Sequence, residues 1–126
     1  MQGKQVTEMS ALSALTSVGG DGATRVRIVV PFDLANSADL RQGLIAVLRE
    51  GSGLVLVDLS ASTVVDHVGF GTLLGAHARA ARAGRRLRYT GADERTARLL
   101  RRAGLSRLLH EDEHRGAAAG RAATAI

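Results

Sequence analysis

Cysteine and tryptophan are absent from this sequence of 126 residues, and proline occurs once, at Pro31. The absence of cysteine excludes a disulfide framework, a thiolate metal site and a cysteine nucleophile. No apolar run approaches the roughly 20 residues that a membrane-spanning helix needs. The first residues also lack the charged-then-apolar pattern of a signal segment. We therefore expect a cytoplasmic protein with no membrane partner.

Aromatic residues are almost as scarce, and this limits the core. The sequence holds two Phe and one Tyr, so aliphatic side chains must form most of the buried interior. The chain length suits one domain and leaves no room for two. We expect that domain at residues 11–112, after a flexible N-terminus at residues 1–10 and before a disordered tail at residues 113–126.

Basic residues outnumber acidic ones, 17 to 12, which gives a net charge of +5. Ten arginines lie in residues 79–107, beside only two carboxylates, those of Asp93 and Glu94. This basic segment carries a net charge of +8, while the rest of the chain carries −3. A segment of this kind favours an acidic partner or substrate.

One alternative function is therefore a basic nucleic-acid-binding domain. Aromatic side chains on which bases could stack are nearly absent, and no nucleic-acid-binding motif is present. Nucleic acid is for these reasons a disfavoured partner. The arginines that would line two helices and a strand in such a domain are Arg79, Arg82, Arg86, Arg95, Arg98 and Arg102.

Alternating and β-branched residues predict the strands. Residues 11–18 and 24–30 flank the turn sequence Gly-Gly-Asp-Gly and predict a β-hairpin. A short run at residues 54–59, apolar at nearly every position, is typical of a strand buried on both faces. Residues 86–89 alternate and predict another strand, and residues 107–110 allow a last one.

Three helices are predicted between and after these strands. Ser37 is the expected N-cap of the first helix, Asp66 of the second and Asp93 of the third, which ends at Gly104 in a Schellman arrangement. Strands that alternate with helices predict an α/β fold, with a mixed sheet of four to five strands and helices packed on it. The second helix should face the sheet with mostly small residues, at Gly69, Leu73, Ala76, Ala80 and Ala83.

No complete catalytic set can be drawn from these elements. Asp58 and Asp66 fall at the same end of the predicted sheet, where they would suit acid–base chemistry or would close a turn and cap a helix. His110 and His114 have a spacing that suits a metal pair and also a solvated chain end. We expect no enzymatic activity, no metal and no cofactor.

The glycines at the start of the second helix do not form a phosphate-binding loop. Gly69, Gly71 and Gly75 have neither the spacing and lysine of a P-loop nor the Gly-x-Gly-x-x-Gly pattern of a dinucleotide site. They would instead let another backbone segment approach the first turn of the helix, where amide groups lack intrahelical partners.

Two neighbouring motifs carry a family resemblance. Asp58-Leu59-Ser60 closes a buried strand, and Asp66-His67-Val68-Gly69-Phe70-Gly71 opens a helix after a short apolar loop. This arrangement resembles the STAS domain, the fold of anti-sigma factor antagonists. The turn near Asp33 and the helix ending Ala103-Gly104-Leu105 agree with that layout, so the resemblance covers about residues 11–112.

The resemblance implies a protein-interaction module. Such a domain binds an anti-sigma factor of the serine-kinase type and pulls it off its sigma factor, which is partner-switching control of transcription in stress responses. The kinase then phosphorylates a Ser or Thr directly after the loop aspartate, and the complex dissociates. In this sequence His67 follows Asp66 and departs from that pattern. Either the binding surface persists without its usual phosphorylation switch, or His67 blocks kinase docking altogether.

Other hydroxyl groups lie upstream of that position, at Ser60, Ser62 and Thr63, and they leave open whether any phosphorylation switch exists. Phe70 suits either partner contact or core packing. A second alternative within the same family is a STAS subunit of a larger transport or signalling complex. The residues expected to contact a partner lie at one edge of the domain, at Asp33, Asp66, His67, Val68, Gly69, Phe70 and Gly71.

Overall fold

The structure is a computed structural model that describes residues 5–10, 14–18 and 22–110, with side chains from residue 22 onward. The tail expected at residues 113–126 and His114 lie outside the described residues. The elements in chain order are β1 (Gln5–Ser10), β2 (Ala14–Val18), β3 (Thr24–Ile28), α1 (Ser37–Arg49), β4 (Leu54–Asp58), α2 (His67–Arg82), β5 (Arg86–Thr90), α3 (Glu94–Arg102) and a 3-10 turn at Ser106–Leu108.

The strands form one sheet in the order β1-β2-β3-β4-β5. β3, β4 and β5 are parallel, because α1 and α2 connect them as crossovers. β1 and β2 extend this parallel unit with antiparallel pairing. The predicted α/β class, with three helices and a mixed sheet, is confirmed.

The N-terminal hairpin differs from its prediction at one end. β2 and β3 pair as the predicted hairpin. Residues 5–10 were expected to be flexible and instead form β1, which pairs with β2 from Gln5 to Ser10. This strand has no apolar alternation to reveal it, and hydrogen bonds to β2 supply the partners that its backbone needs.

α1 begins one residue earlier than its predicted cap allows. Its N-cap is Asn36, which makes no side-chain capping bond, and Ser37 is the first helical residue. Asp33 closes the turn before the helix, because its Oδ1 accepts a hydrogen bond from the amide of Asn36 at 2.9 Å. The expected apolar stripe is buried, at Leu40, Leu44, Val47 and Leu48.

α2 and α3 follow their predictions closely. Asp66 caps α2 and Asp93 caps α3 through side-chain bonds to Gly69 and Thr96 amides. The predicted Schellman ending of α3 is confirmed, because the Leu105 amide donates to the Leu100 carbonyl at 2.8 Å. The inward face of α2 is buried as expected except at its end, where Ala83 is exposed; its buried members are Gly69, Leu73, Ala76 and Ala80.

Two strand predictions are corrected. β4 is not buried on both faces: Val55 and Val57 are buried, while Leu54 and Leu56 are only half-buried, because one face of the sheet receives the helices. Residues 107–110 form no regular strand. Arg107 and Leu108 belong to the 3-10 turn, and Leu109 touches the edge of β5 through a bridge to Tyr89.

The core lies between the helices and one face of the sheet. It is aliphatic, as the composition predicts, except for Phe32 and Tyr89. Burial raises the pKa of the Tyr89 phenol far above its usual range. The phenol donates a hydrogen bond to the Leu73 carbonyl of α2 at 2.7 Å, so a polar contact ties α2 to β5 inside this core.

Candidate partner-binding site

The candidate site is built from the loops that follow β3 and β4. Because β3 and β4 are parallel, both loops leave the sheet at the same edge. The Phe32 amide donates to the Thr63 carbonyl at 2.8 Å, and the Val65 amide donates to the Phe32 carbonyl at 2.9 Å. This short bridge fixes the first loop against the start of α2.

Asp66 connects the same two loops through its side chain. Its Oδ1 accepts the Gly69 amide at 2.8 Å and its Oδ2 accepts the Leu34 amide at 3.1 Å. The bonds from the Gly69 and Leu34 amides stabilise the carboxylate and lower the pKa of Asp66. The side chain therefore caps α2 and also holds Leu34 beside the helix start.

Gly69 is the point of closest approach. A Cβ at this position would collide with the carbonyl of Phe32 and would lie 2.9 Å from the Asp33 amide nitrogen. The predicted approach of a second backbone segment is thus confirmed at Gly69. At Gly71 and Gly75 a Cβ would meet nothing within 4 Å, so these two glycines have no such role.

Asp33 and Phe70 have mainly internal contacts. Besides the Asn36 amide, Asp33 Oδ1 accepts the side-chain Nδ2 of Asn36 at 2.9 Å, so Asp33 closes the turn before α1. Phe70 is half-buried and packs against the core. Of the residues expected to contact a partner, Gly69 is buried as well.

Exposed apolar side chains surround Asp66. Leu34 is 68% exposed, Val65 47% and Val68 43%, and the neighbouring His67 is exposed too. We call Leu34, Val65 and Val68 the exposed apolar cluster. Apolar side chains exposed together are a mark of interaction surfaces.

Sequence reasoning identified Val68 but missed Leu34 and Val65. Their partial signal was an apolar residue inside a loop rich in turn formers. The sequence could not show which of these apolar loop residues would stay exposed to solvent once the two loops are joined by backbone hydrogen bonds.

Two of the three hydroxyl groups upstream of α2 donate hydrogen bonds within the protein. The Ser62 hydroxyl donates to the Val30 carbonyl at 2.6 Å, and the Thr63 hydroxyl donates to Asp93 Oδ2 at 2.8 Å. Ser60 is exposed. His67, at the position after Asp66, has no hydroxyl group to accept a phosphate.

The two carboxylates weighed for acid–base chemistry have structural partners. Asp58 Oδ1 accepts the Ser60 amide at 2.9 Å and so closes the turn after β4, while Asp66 caps α2. Within residues 22–110, where side chains are described, no group of three or more His, Cys, Asp or Glu side chains could hold a metal ion. His110 is exposed at the end of this range.

The arginines of the basic segment do not form one stripe. Arg85 is buried and donates hydrogen bonds to carbonyl groups at the end of α1 and just after it. The six arginines that the nucleic-acid alternative requires are exposed, but they are divided among α2, β5 and α3. Across the described helices, none is long and apolar enough to span a membrane.

Comparison with known proteins identifies this fold. The anti-sigma factor antagonist SpoIIAA in its unphosphorylated form aligns with a TM-score of 0.60 at 12% identity, over 94% of this chain and 96% of that one. An anti-sigma factor antagonist from Mycobacterium paratuberculosis aligns with a TM-score of 0.59 at 18% identity, over 86% and 82%.

A transporter domain is similar as well. The murine anion transporter Slc26a9 aligns with a TM-score of 0.63 at 15% identity, over 93% of this chain but only 22% of the transporter chain. No curated protein sequence gives a significant match. The family model described as "Mlab, STAS domain" matches residues 16–110. Because that match spans most of the chain, the protein belongs to the STAS domain family.

Proposed function

We propose that this protein is a non-enzymatic interaction module that binds an anti-sigma factor of the serine-kinase type in the cytoplasm. Its role would be partner-switching control of transcription in a stress response. The observation that carries the proposal is the exposed apolar cluster around the capped start of α2. The anti-sigma factor antagonists among the similar structures support the choice of partner.

His67 sets this module apart from a phosphorylated one. SpoIIAA has been solved in both an unphosphorylated and a phosphorylated form. A phosphate at a helix N-terminus is favoured by the helix dipole and the free amides, but it adds nearly two negative charges to a packed interface. Because residue 67 has no hydroxyl group, the kinase could not phosphorylate this position, and the complex would persist in the presence of ATP. Regulation would then have to act at another residue or on the partner.

Affinity capture tests the proposed surface. The wild-type chain, Val68→Glu and Ala81→Glu are each used as bait in native lysate, followed by mass spectrometry. Val68→Glu places a charge in the exposed apolar cluster, whereas Ala81→Glu adds the same charge near the other end of α2, about 20 Å away. We expect the wild type and Ala81→Glu to retain a small ATPase-like serine kinase and Val68→Glu to lose it.

A phosphorylation assay tests the missing switch. The purified chain is incubated with the captured kinase and ATP, and phosphate is located by mass spectrometry. We expect no phosphate in residues 58–72 and no release of the complex. Phosphate on Ser60, Ser62 or Thr63 accompanied by release would show that the switch survives at another residue and would refute this part of the proposal.

A second candidate is a STAS subunit of a larger transport or signalling complex. The similarity to a domain of the anion transporter Slc26a9 favours it. The same capture experiment separates the candidates. Recovery of a transporter subunit in place of a kinase, with the same sensitivity to Val68→Glu, would assign the surface to this second function.

A further inference from the structure

A groove separates α1 from α2 on the side of the exposed apolar cluster. Its volume is about 360 Å³, which is near the lower end of ligand sites and large enough for one or two partner side chains. Leu44 and Ala76 form an apolar floor, since both are buried and line the groove. Val68 lines its end, so the groove continues directly from the exposed apolar cluster.

Two arginines make the groove electropositive. Arg41 on α1 and Arg79 on α2 both line it and both are exposed. In the part of the chain whose side chains are described, neither guanidinium forms a hydrogen bond or an ion pair, and no carboxylate lines the groove. A bound group with negative charge would therefore find two cations without competing partners.

Two glycines of α2 help to keep this groove open. Gly71 and Gly75 both line it, and a Cβ at either position would meet nothing within 4 Å. Ser37 and Thr72 add hydroxyl groups to the lining. The resulting channel between two helices, apolar below and cationic along its edges, has the shape and polarity that an amphipathic helix requires.

We propose that the groove between α1 and α2 binds an acidic amphipathic helix of the protein partner. Apolar side chains of that helix enter over Leu44 and Ala76, and its carboxylates pair with Arg41 and Arg79. The inference rests on the proposed function, because it takes the partner to be a protein bound next to the exposed apolar cluster. It adds the second contact region and the charge of the segment that occupies it.

A designed peptide tests the groove without the natural partner. The probe is a synthetic helical peptide with leucines on one face and glutamates beside them, and the matched control carries lysines in place of the glutamates. Binding is followed by NMR shifts of the 15N-labelled full chain. We expect only the glutamate peptide to bind, with the largest shifts in residues that line the groove.

Charge reversal supplies the matched variants. Arg41→Glu with Arg79→Glu should weaken binding of the glutamate peptide by about tenfold or more, since attractive pairs become repulsive. Arg98→Glu with Arg101→Glu changes the net charge equally on α3 and should leave binding unchanged. Gly75→Leu fills the groove from a position with free space and should abolish binding while the chain stays folded.

Three results would overturn the groove proposal. They are equal binding of both peptides, unchanged binding to the Arg41/Arg79 variant, and self-association of the chain that Gly75→Leu abolishes, which would assign the groove to a second copy. These outcomes leave the capture experiment with Val68→Glu untouched. Failure of the groove proposal is therefore distinguishable from failure of the proposed function.

Discussion

Arg85 is an arginine of the basic segment whose side chain is buried and has a structural role. Its guanidinium donates to the carbonyls of Val47 at 2.9 Å, Glu50 at 2.8 Å and Ser52 at 3.1 Å, and its Nε donates to Gly53 at 3.2 Å. The carbonyls at the end of a helix have no intrahelical donors. Arg85 supplies donors at this end of α1, where the Val47 carbonyl also accepts the Glu50 amide at 3.2 Å, and so connects the end of α2 to the end of α1.

Replacement of Arg85 by methionine should lower the free energy of unfolding by about 2 kcal/mol, because it removes the hydrogen bonds that this buried guanidinium donates to four carbonyls at and after the end of α1. The adjacent Arg86 is exposed, and Arg86→Met should change it by less than about 0.5 kcal/mol. Urea denaturation of both variants measures the difference. Equal stability of the two would contradict the structural role of Arg85.

Asp66 should make the free energy of unfolding depend on pH in the acidic range. Hydrogen bonds from the Gly69 and Leu34 amides lower its folded pKa below the ordinary value of 3.8. Its contribution is then fully present above the unfolded pKa and is lost as the pH falls through the folded pKa. Asp66→Asn keeps a capping oxygen but does not titrate, so the loss of stability as the pH falls below the ordinary carboxyl pKa should be shallower.

Asp93 gives the acid experiment an internal reference. Its burial raises the pKa, but hydrogen bonds from Thr96 and Thr63 outweigh this effect and leave it lowered. Asp93→Asn should flatten the same pH profile, and the double variant should flatten it further. Chemical denaturation across the pH range tests both. A profile that Asp66→Asn does not change would show that the carboxylate charge of Asp66 does not stabilise the fold.

At the scale of elements, the ends of α2 can be predicted from local sequence, whereas the contacts around its start cannot. Its start at Asp66 and its end before Gly84 depend on residues within one turn, so capping rules suffice for both. The exposure of Leu34 and Val65 depends on pairing between loops about 30 residues apart in sequence. Likewise, no local pattern connects Arg85 to carbonyls in residues 47–53, which is why the sequence showed it only as one of ten arginines in the basic segment.

Glycines of α2 allow a matched test of this distinction. Gly69→Ala should destabilise the fold by about 3 kcal/mol, because the added Cβ collides with the backbone of Phe32. This backbone cannot move aside without breaking its hydrogen bond to Thr63. Gly71→Ala, two residues later in open space, should instead stabilise it by about 0.5–1 kcal/mol through helix propensity. Thermal unfolding compares the pair. Similar effects of both substitutions would refute the close approach at Gly69.

At the scale of the whole molecule, the positive charge that is concentrated in one segment of the sequence is spread over several elements of the fold. Residues 79–107 are contiguous in the chain, yet their arginines lie on α2, on β5, on α3, in the 3-10 turn (Arg107) and, for Arg85, in the interior. The alternation of strands and helices predicted the α/β class. It did not predict β1, because residues 5–10 have no apolar alternation.

This distribution gives the nucleic-acid alternative a quantitative test. Counterion release makes non-specific binding to duplex DNA steeply dependent on salt, with dissociation constants of about 1–100 µM at physiological salt. With its exposed arginines on three elements and with few aromatic side chains, this chain should bind random duplex DNA no more tightly than that range. Fluorescence anisotropy over a salt series measures it, with the Arg98→Glu/Arg101→Glu variant to report the contribution of α3. Nanomolar binding at physiological salt that this variant abolishes would make nucleic acid, and not a protein partner, the ligand to pursue.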